Sequence, residues 1–149
     1  MRQLSTFLLL VLATSCSAAS DKDTKLNDAP GFCSEWAADA CNSTVVSQCG
    51  STTGACVQAQ QQFCETLVPD GKYSSTHAKD CLKAVGNAYK DGTLTADERD
   101  TVLRLGNECA KVLSGPGGTD APCTVDSDCN QDSNLSCVPK GGSTGKSQT

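Results

Sequence analysis

The chain has 149 residues, which leaves room for one domain with a short appendage, and it carries a formal net charge of −5. This acidic balance, with basic residues that are scattered and not clustered, argues against nucleic-acid binding, so no nucleic-acid partner is expected. Aromatic residues are too few to fill a bulky core, and the 11 cysteines predict a small domain held together by disulfides in an oxidising compartment.

The first segment is typical of a signal peptide. Arg2 precedes a largely apolar stretch at positions 4–13, which is too short to span a bilayer as a stable helix. The polar sequence that follows has no apolar periodicity and does not favour a buried N-terminal helix. We therefore assign residues 1–19 to a signal peptide and expect an exported protein.

Two cleavage sites compete at the end of this segment. Positions 13–16, ATSC, resemble a bacterial lipobox in which Cys16 is lipidated, whereas positions 17–19, SAA, fit ordinary signal peptidase and a secreted product. We favour the lipoprotein because it gives a cysteine at this place a role, and Ser17 after it implies passage to the outer membrane or cell surface. Residues 20–31 are then expected to be a flexible tether.

Without Cys16, the chain keeps an even number of cysteines, which in an exported protein is typical of a disulfide framework. The sequence alone allows many connectivities, although helical spacing favours some of them. The candidates for disulfide bonding are Cys33, Cys41, Cys49, Cys56, Cys64, Cys81, Cys109, Cys123, Cys129 and Cys137.

The first four helical cysteines predict an antiparallel hairpin. Cys33 and Cys41 are eight residues apart, as are Cys56 and Cys64, so each pair lies on one face of a helix. A turn at positions 50–54 would bring the faces together, with Cys33 bonded to Cys64 and Cys41 to Cys56. The predicted apolar seams also contain Trp36, Ala37 and Ala40 on the first helix and Ala59 and Phe63 on the second.

A second hairpin is predicted from helices at positions 74–89 and 96–113. A capping-box sequence opens the latter helix. Cys81 and Cys109 lie at comparable distances from the turn between the helices and are expected to pair. The predicted apolar faces contain Cys81, Leu82, Val85, Ala88 and Tyr89 on one helix and Val102, Leu105, Cys109 and Val112 on the other. Both hairpins form a predicted domain at residues 32–114.

The remaining residues, 115–149, have no helical periodicity and are rich in glycine, so we expect an irregular, cysteine-rich tail. Its three cysteines, together with Cys49, are left over from the predicted hairpins. These four form two bridges that tie the tail to the helical domain, or else a further tail cysteine is missing from the sequence. The spacing does not separate the two alternatives.

One segment resembles a calcium-binding loop. Positions 87–98, NAYKDGTLTADE, place Asp91, Thr95 and Glu98 where the EF-hand pattern has ligands. However, the first aspartate of the pattern is replaced, and Tyr89 stands where an oxygen ligand is needed. A turn followed by a capped helix explains the same residues without a metal, and we expect no other cofactor.

No combination of side chains indicates an enzyme. The Cys-x-x-Cys pairs of zinc sites do not occur, and His77, the lone histidine, stands at a polar helix start where we expect it to be solvated. A nucleophile, a base and an orienting group are not recognisable as a set. An exported enzyme of unknown class is therefore the least favoured interpretation.

The tail resembles a known class of extracellular module. Positions 122–129, PCTVDSDC, and 134–137, NLSC, resemble the cysteine-rich segments of Dickkopf-like and EGF-like modules. Together with the lipobox-like start and the sequence FC at positions 32–33, the chain resembles uncharacterised cysteine-rich lipoproteins of myxobacteria and their deltaproteobacterial relatives. This resemblance covers about thirty residues of the tail, and it implies a surface or periplasmic interaction protein.

The sequence as a whole predicts an all-α fold, a disulfide-stapled bundle of about four helices in two antiparallel hairpins, followed by an irregular tail. The expected function is that of an exported envelope lipoprotein, or a secreted protein, that acts as a structural or protein-binding module. Its expected partners are a membrane, through the lipid, and an unidentified protein or envelope component. Calcium binding at Asp91, Thr95 and Glu98 is the alternative function.

Overall fold

A computed structural model of the protein describes residues 22–69, 71–139 and 145–149. The predicted signal peptide and Cys16 therefore lie outside the described residues. Within the described ranges, no helix combines the length and the apolar character that crossing a bilayer requires.

Helices dominate residues 22–114, which we call the body, and a small sheet lies in residues 115–149, which we call the tail. In the body, α2 packs against both α4 and α5, and α5 packs against α6. The packing of these four helices thus runs in the order α4, α2, α5, α6. The helices are α1 (Lys22–Lys25), α2 (Ala29–Ala40), α3 (Ser43–Gln48), α4 (Thr53–Leu67), α5 (Ala78–Ala88) and α6 (Ala96–Arg104), with 3₁₀ helices at Asn107–Val112, Asp126–Asp128 and Gln131–Ser133.

The N-terminal part of the body is more ordered than the sequence indicated. The tether expected over residues 20–31 is wrong from residue 22 onwards, because α1 occupies Lys22–Lys25 and Leu26 and Ala29 are buried in the core. Asp28 caps α2 by accepting a hydrogen bond from the backbone of Gly31 at 2.7 Å. The body therefore begins before position 32.

Aromatic rings on α2 form the centre of the core. Phe32 and Trp36 are fully buried and meet edge to face, with ring centroids 6.0 Å apart. Tyr73 packs against Phe32 with a centroid separation of 5.4 Å. Ala37 and Ala40 are also fully buried, so the predicted seam of α2 is confirmed.

The predicted seam of α4 is wrong at two positions. Ala59 is exposed and Phe63 is only half-buried, whereas Cys64 is fully buried. The disulfides at Cys56 and Cys64 fix the side of α4 that faces α2, and Gln60 lies midway between them on that side. Ala59 and Phe63 each precede this row by one residue and are therefore rotated by about 100° around the helix.

The predicted helix at 96–113 is also wrong in its second half. The helix ends at Arg104, and Leu105 and Asn107 adopt left-handed backbone angles with φ values of 53° and 52°. The amide of Asn107 donates to the hydroxyl of Thr101 at 2.9 Å, which stabilises this reversal. A Cβ at Gly106 would lie 1.9 Å from Asp100 Oδ2, so glycine lets this carboxylate lie close to the backbone. A 3₁₀ helix, Asn107–Val112, continues the chain.

The start of the other predicted helix, 74–89, is replaced by an extended contact. Tyr73 forms an isolated antiparallel bridge with Leu113, and the backbone of Ser74 donates to Val112 O at 2.9 Å. Helix α5 therefore begins only at Ala78. Every apolar residue predicted to face the core from this hairpin is nonetheless buried, including Val102, Leu105 and Val112.

The fold is not purely all-α, because the tail, which was expected to be irregular, contains a three-stranded antiparallel sheet in the order β1-β3-β2. Cys123 on β1 pairs with Gly145, and Cys137 on β2 pairs with Ser147, so a disulfide between the two cysteines spans the central strand. Strands this short have no apolar alternation that a sequence pattern could detect. The strands are β1 (Pro122–Cys123), β2 (Ser136–Pro139) and β3 (Gly145–Gln148).

Candidate functional site

The disulfide framework is the first candidate site, and its two predicted rungs in the first hairpin are confirmed. Cys33 is bonded to Cys64 with a Cα–Cα distance of 5.4 Å, and Cys41 to Cys56 with a distance of 5.8 Å. The N-caps of both helices set this register. Thr52 starts α4 by accepting from the backbone of Ala55, as Asp28 does for α2.

The pairing of Cys81 with Cys109 is likewise confirmed, with a Cα–Cα distance of 4.5 Å. Both residues are fully buried. Cys109 reaches Cys81 from the 3₁₀ helix and not from α6, so the pairing was correct although the backbone path was not. The burial of the apolar face, and not the continuity of the helix, selects this bond.

The expectation that two bridges tie the tail to the helical domain is wrong for the described residues. Cys123 and Cys137 bond to one another, so no disulfide ties the tail to the body among the described residues. Cys49 is exposed and Cys129 is buried, and neither is bonded there. Cys129 packs with Leu135 beside the tail disulfide. The described residues thus hold four disulfides, a framework typical of an extracellular or exported protein.

The second candidate site is the segment at positions 87–98 that resembles a calcium-binding loop, which we call the acidic turn. Its carboxylates accept hydrogen bonds from the turn and from the start of α6. Asp91 Oδ1 accepts from the backbone of Thr93 at 2.9 Å. Glu98 Oε2 accepts from the backbone and the hydroxyl of Thr95, at 2.8 and 2.7 Å. Glu98 and Thr95 form the capping box predicted for the start of α6.

The remaining residues of this turn pack against the body. Tyr89 is 8% exposed and belongs to the core, so its side chain is not directed towards the turn as a ligand would be. Gln48 donates from Nε2 to Asp91 O at 3.2 Å and links the turn to α3. In the described part of the chain, no group of three or more histidine, cysteine or acidic side chains is arranged to hold a metal ion. Calcium binding at Asp91, Thr95 and Glu98 stays a prediction.

A polar cluster that the sequence did not predict joins the tail to the body. Asp132 Oδ1 accepts from the hydroxyl of Thr76 at 2.6 Å and from the hydroxyl of Ser74. The ring of His77 contacts Gln131 O through Nε2 at 3.2 Å. We call these five residues the tail clasp. His77 is half-buried, so its expected solvation was wrong.

The hydrogen bonds of the clasp favour the ionised carboxylate of Asp132. The hydroxyl of Ser74, and then that of Thr76, donate to Asp132 and lower the pKa of its carboxyl below the ordinary value. A carbonyl oxygen only accepts, so Nε2 of His77 carries a proton in this contact. The side chain of Gln131 is buried and donates to Asp126 O and Leu135 O, at 2.8 and 2.9 Å, which holds the tail side of the clasp rigid.

The clasp contains a serine, a histidine and an aspartate, but its bonds are those of a structural contact. In a catalytic triad, the histidine bonds to the serine and the aspartate orients the histidine. Here the hydroxyl of Ser74 bonds to the carboxylate of Asp132, and the ring of His77 bonds to a backbone carbonyl. The residues lie more than fifty positions apart in the sequence, so no local pattern could have found them.

A second network between a carboxylate and the backbone, around Asp128, shapes the tail itself. Asp128 Oδ2 accepts from the backbone and the hydroxyl of Thr124, both at 2.8 Å, and from the backbone of Val125 at 3.2 Å. The backbone bond from Thr124 is the largest of the effects that lower the pKa of this carboxyl.

Comparison of the chain with protein-family models, with curated proteins and with solved structures gives no match.

Proposed function

We propose that the protein is an exported cell-envelope lipoprotein, anchored through Cys16, whose body is a rigid structural or protein-binding module. The disulfide framework is the observation that supports this proposal. Three of the disulfides lie within the body and one within the tail, and each joins segments that are distant in the sequence. Such a framework is typical of small exported domains whose apolar core is thin.

Rigidity is what such a module contributes to binding. A partner that meets a preorganised surface does not have to order it, so less of the interaction free energy is lost on association. The rungs between α2 and α4 fix the outer helix of the body, and the tail clasp fixes the tail against α5. The body therefore presents its outer surfaces in one arrangement.

Mass spectrometry of the intact protein purified from membranes tests the anchor and the framework together. We expect a lipid adduct on Cys16, and we expect reduction to add about eight mass units, two hydrogens for each of four bonds. The variant Cys16→Ala serves as the control. It is expected to be absent from the membrane fraction and to keep its disulfides. An unmodified Cys16 in the membrane-purified protein would contradict the anchor.

Chemical cross-linking in the intact envelope tests the binding role. We expect one or a few specific adducts with the native protein. As a matched control, the protein is reduced, alkylated and added back to envelopes, because this treatment removes the framework and leaves the sequence unchanged. Adducts that are the same for the native and the alkylated protein would show that the folded surface plays no part in binding.

A further inference from the structure

The three cysteines of the tail lie in one small apolar cluster. Cys123 and Cys129 are buried there with Leu135, and Cys137 packs against them from β2. Cys123 and Cys137 form the tail disulfide, whereas Cys129 is fully buried and is not bonded within the described residues. A disulfide and a thiol that is shielded from water therefore share one interior.

Two carboxylates hold the loop at positions 123–129 in place. Asp128 Oδ2 accepts from the backbone and the hydroxyl of Thr124, both at 2.8 Å, and so closes the loop on itself. Asp126 Oδ1 accepts from the backbone of Cys137 at 2.6 Å and fastens the loop to β2. Since both ends of this loop are cysteines, these bonds keep all three tail cysteines side by side.

We propose that Cys129 is an internal nucleophile that exchanges with the tail disulfide and transfers the free thiol to Cys137. Thiol–disulfide exchange requires only that a thiolate reaches a disulfide sulfur, so burial does not prevent a reaction inside the cluster. Burial instead shields Cys129 from external oxidants, which allows a thiol to persist in an oxidising compartment. The tail is then a redox-sensitive switch with two disulfide isomers.

The exchange step is balanced without any other reagent. The thiolate of Cys129 forms a bond to the sulfur of Cys123, and the bond between Cys123 and Cys137 breaks. The proton that Cys129 loses is gained by the sulfur of Cys137. One thiol and one disulfide are present before and after the step, so the tail is neither oxidised nor reduced.

Exposure to water determines which sulfur is released. Cys123 is 3% exposed, whereas Cys137 is half-buried. The departing sulfur carries a negative charge, which is costly to hold in an apolar interior and is stabilised by water. Attack on Cys123, which releases Cys137, is therefore favoured over attack on Cys137, which releases Cys123. The free thiol thereby moves from the interior of the tail to its surface at β2.

The thiol released at Cys137 reacts with a small external disulfide, such as oxidised glutathione. Its thiolate forms a mixed disulfide with one half of the reagent, and the other half leaves as a thiol. Cys137 is thereby oxidised, and the external disulfide is reduced. The mixed disulfide blocks the reverse exchange, so a small disulfide holds the tail in the isomer that has the Cys123–Cys129 bond. This reactivity goes beyond the structural or protein-binding role proposed above.

Peptide mapping of the full-length variant Cys49→Ser after incubation with oxidised glutathione tests the proposal, because this variant lacks the exposed thiol of the body. We expect glutathione on Cys137 together with a linked Cys123–Cys129 peptide, while the three disulfides of the body stay intact. Adding Cys129→Ser is expected to abolish the adduct and to keep the original tail disulfide. Glutathione on Cys129, glutathione on Cys137 in both variants, or no change at any tail cysteine overturns the proposal.

A second variant tests whether the two buried sulfurs can meet. Cys49→Ser combined with Cys137→Ser leaves Cys123 and Cys129 as the two thiols of the tail. In a glutathione redox buffer, they are expected to form a disulfide with each other. Two thiols that remain free while the disulfides of the body are intact would overturn the proposal. Both experiments report on the tail alone, so an unmodified Cys16 contradicts the anchor and leaves this inference intact.

Discussion

The hydroxyl of Thr76 donates to Asp132 at 2.6 Å and so joins the segment before α5 to a tail residue 56 positions away. No disulfide among the described residues connects the tail to the body. The tail clasp is therefore a non-covalent contact that positions one disulfide-bonded unit against another. Its contribution depends on the charge of one carboxylate, which makes it sensitive to acid.

We predict that Asp132→Asn weakens the clasp at neutral pH and removes part of the acid sensitivity of the fold. The pKa of Asp132 is lowered in the folded protein, so its contribution to the free energy of unfolding is present above the unfolded pKa and is lost as the pH falls through the lower, folded pKa. Hydrogen bonds to this exposed carboxylate are expected to be worth about 1 kcal/mol at neutral pH.

Urea unfolding between neutral and strongly acidic pH measures this effect. The variant is expected to be less stable than the wild type at neutral pH and to approach it in acid. Asp120→Asn is the matched control, because Asp120 is an exposed tail residue with a left-handed backbone that asparagine tolerates. A constant difference between Asp132→Asn and the wild type across the pH range would contradict the prediction.

We predict that the protein loses stability in alkali through Tyr73. Burial, and then the negative charge of Asp28, raise the pKa of Tyr73 to about 12. A raised folded pKa gives a contribution that is fully present below the unfolded value of about 10 and is lost as the pH rises towards the folded value. The hydroxyl of Tyr73 also donates to Leu26 O at 2.7 Å and has to break this bond to ionise.

Spectrophotometric titration of the phenolate band follows this ionisation. Tyr73→Phe keeps the ring that packs on Phe32 and is expected to flatten the loss of stability above pH 10. Burial also raises the pKa of Tyr89, the other tyrosine. Tyr89→Phe is therefore the matched comparison, and it is expected to remove the contribution of Tyr89 to the alkaline transition and to leave that of Tyr73. Ionisation of Tyr73 at the ordinary tyrosine pKa would show that its hydroxyl is not held as described.

We predict that the two rungs between α2 and α4 differ in strength and in reactivity. Their loops close over sequence separations of 31 and 15 residues, which in the chain-entropy model correspond to about 4 and about 3 kcal/mol. Cys33 and Cys64 are fully buried, whereas Cys56 is half-buried. Reductant is therefore expected to open the bond at Cys56 first.

Stepwise reduction with alkylation and peptide mapping gives the order of opening. The paired variants Cys33→Ala with Cys64→Ala and Cys41→Ala with Cys56→Ala compare the two rungs by thermal unfolding, and the first pair is expected to melt at the lower temperature. Opening of the buried rung before the half-buried one would mean that access does not control reduction here.

We predict that Glu98 stabilises α6 as a cap. Thr95→Ala removes the hydroxyl that bonds to both Glu98 Oε2 and the backbone of Glu98, and it is expected to lower the free energy of unfolding by about 1 kcal/mol. Isothermal titration with millimolar calcium tests whether Glu98 acts as a calcium ligand and not only as a helix cap. If the turn binds calcium, heat is released and the stability of the wild type, but not of Glu98→Gln, rises with calcium.

Helical periodicity was sufficient to predict the body disulfides. Cys33 and Cys41 lie on one helical face, and an antiparallel partner with the same spacing leaves one arrangement of rungs. Periodicity failed where a local side-chain bond overrides it. Asn107, after Gly106, bonds back to Thr101 and ends α6 one turn before Cys109, and neither the apolar pattern nor the spacing records this.

The tail was the least predictable part, because long-range contacts determine its structure. The bond between Cys123 and Cys137 depends on a strand, β3, that is too short and too polar to be recognised in the sequence. Asp132 gave no signal of its own, since its partners Ser74 and Thr76 belong to the body. Only the tertiary fold brings these groups within bonding distance.

The hydrogen bond between Tyr73 and Leu26 places the first described residues at one end of the body. Leu26 lies where the described chain begins, and Tyr73 adjoins the tail clasp, so the N-terminal entry and the tail share one pole of the molecule. Helix α5, about 16 Å long, separates this pole from the other, where Asn42 bonds to Tyr89 O at 2.8 Å. The contacts of the first described residues and those of the tail therefore gather at one end of α5, and the contact made by Asn42 lies at the other end.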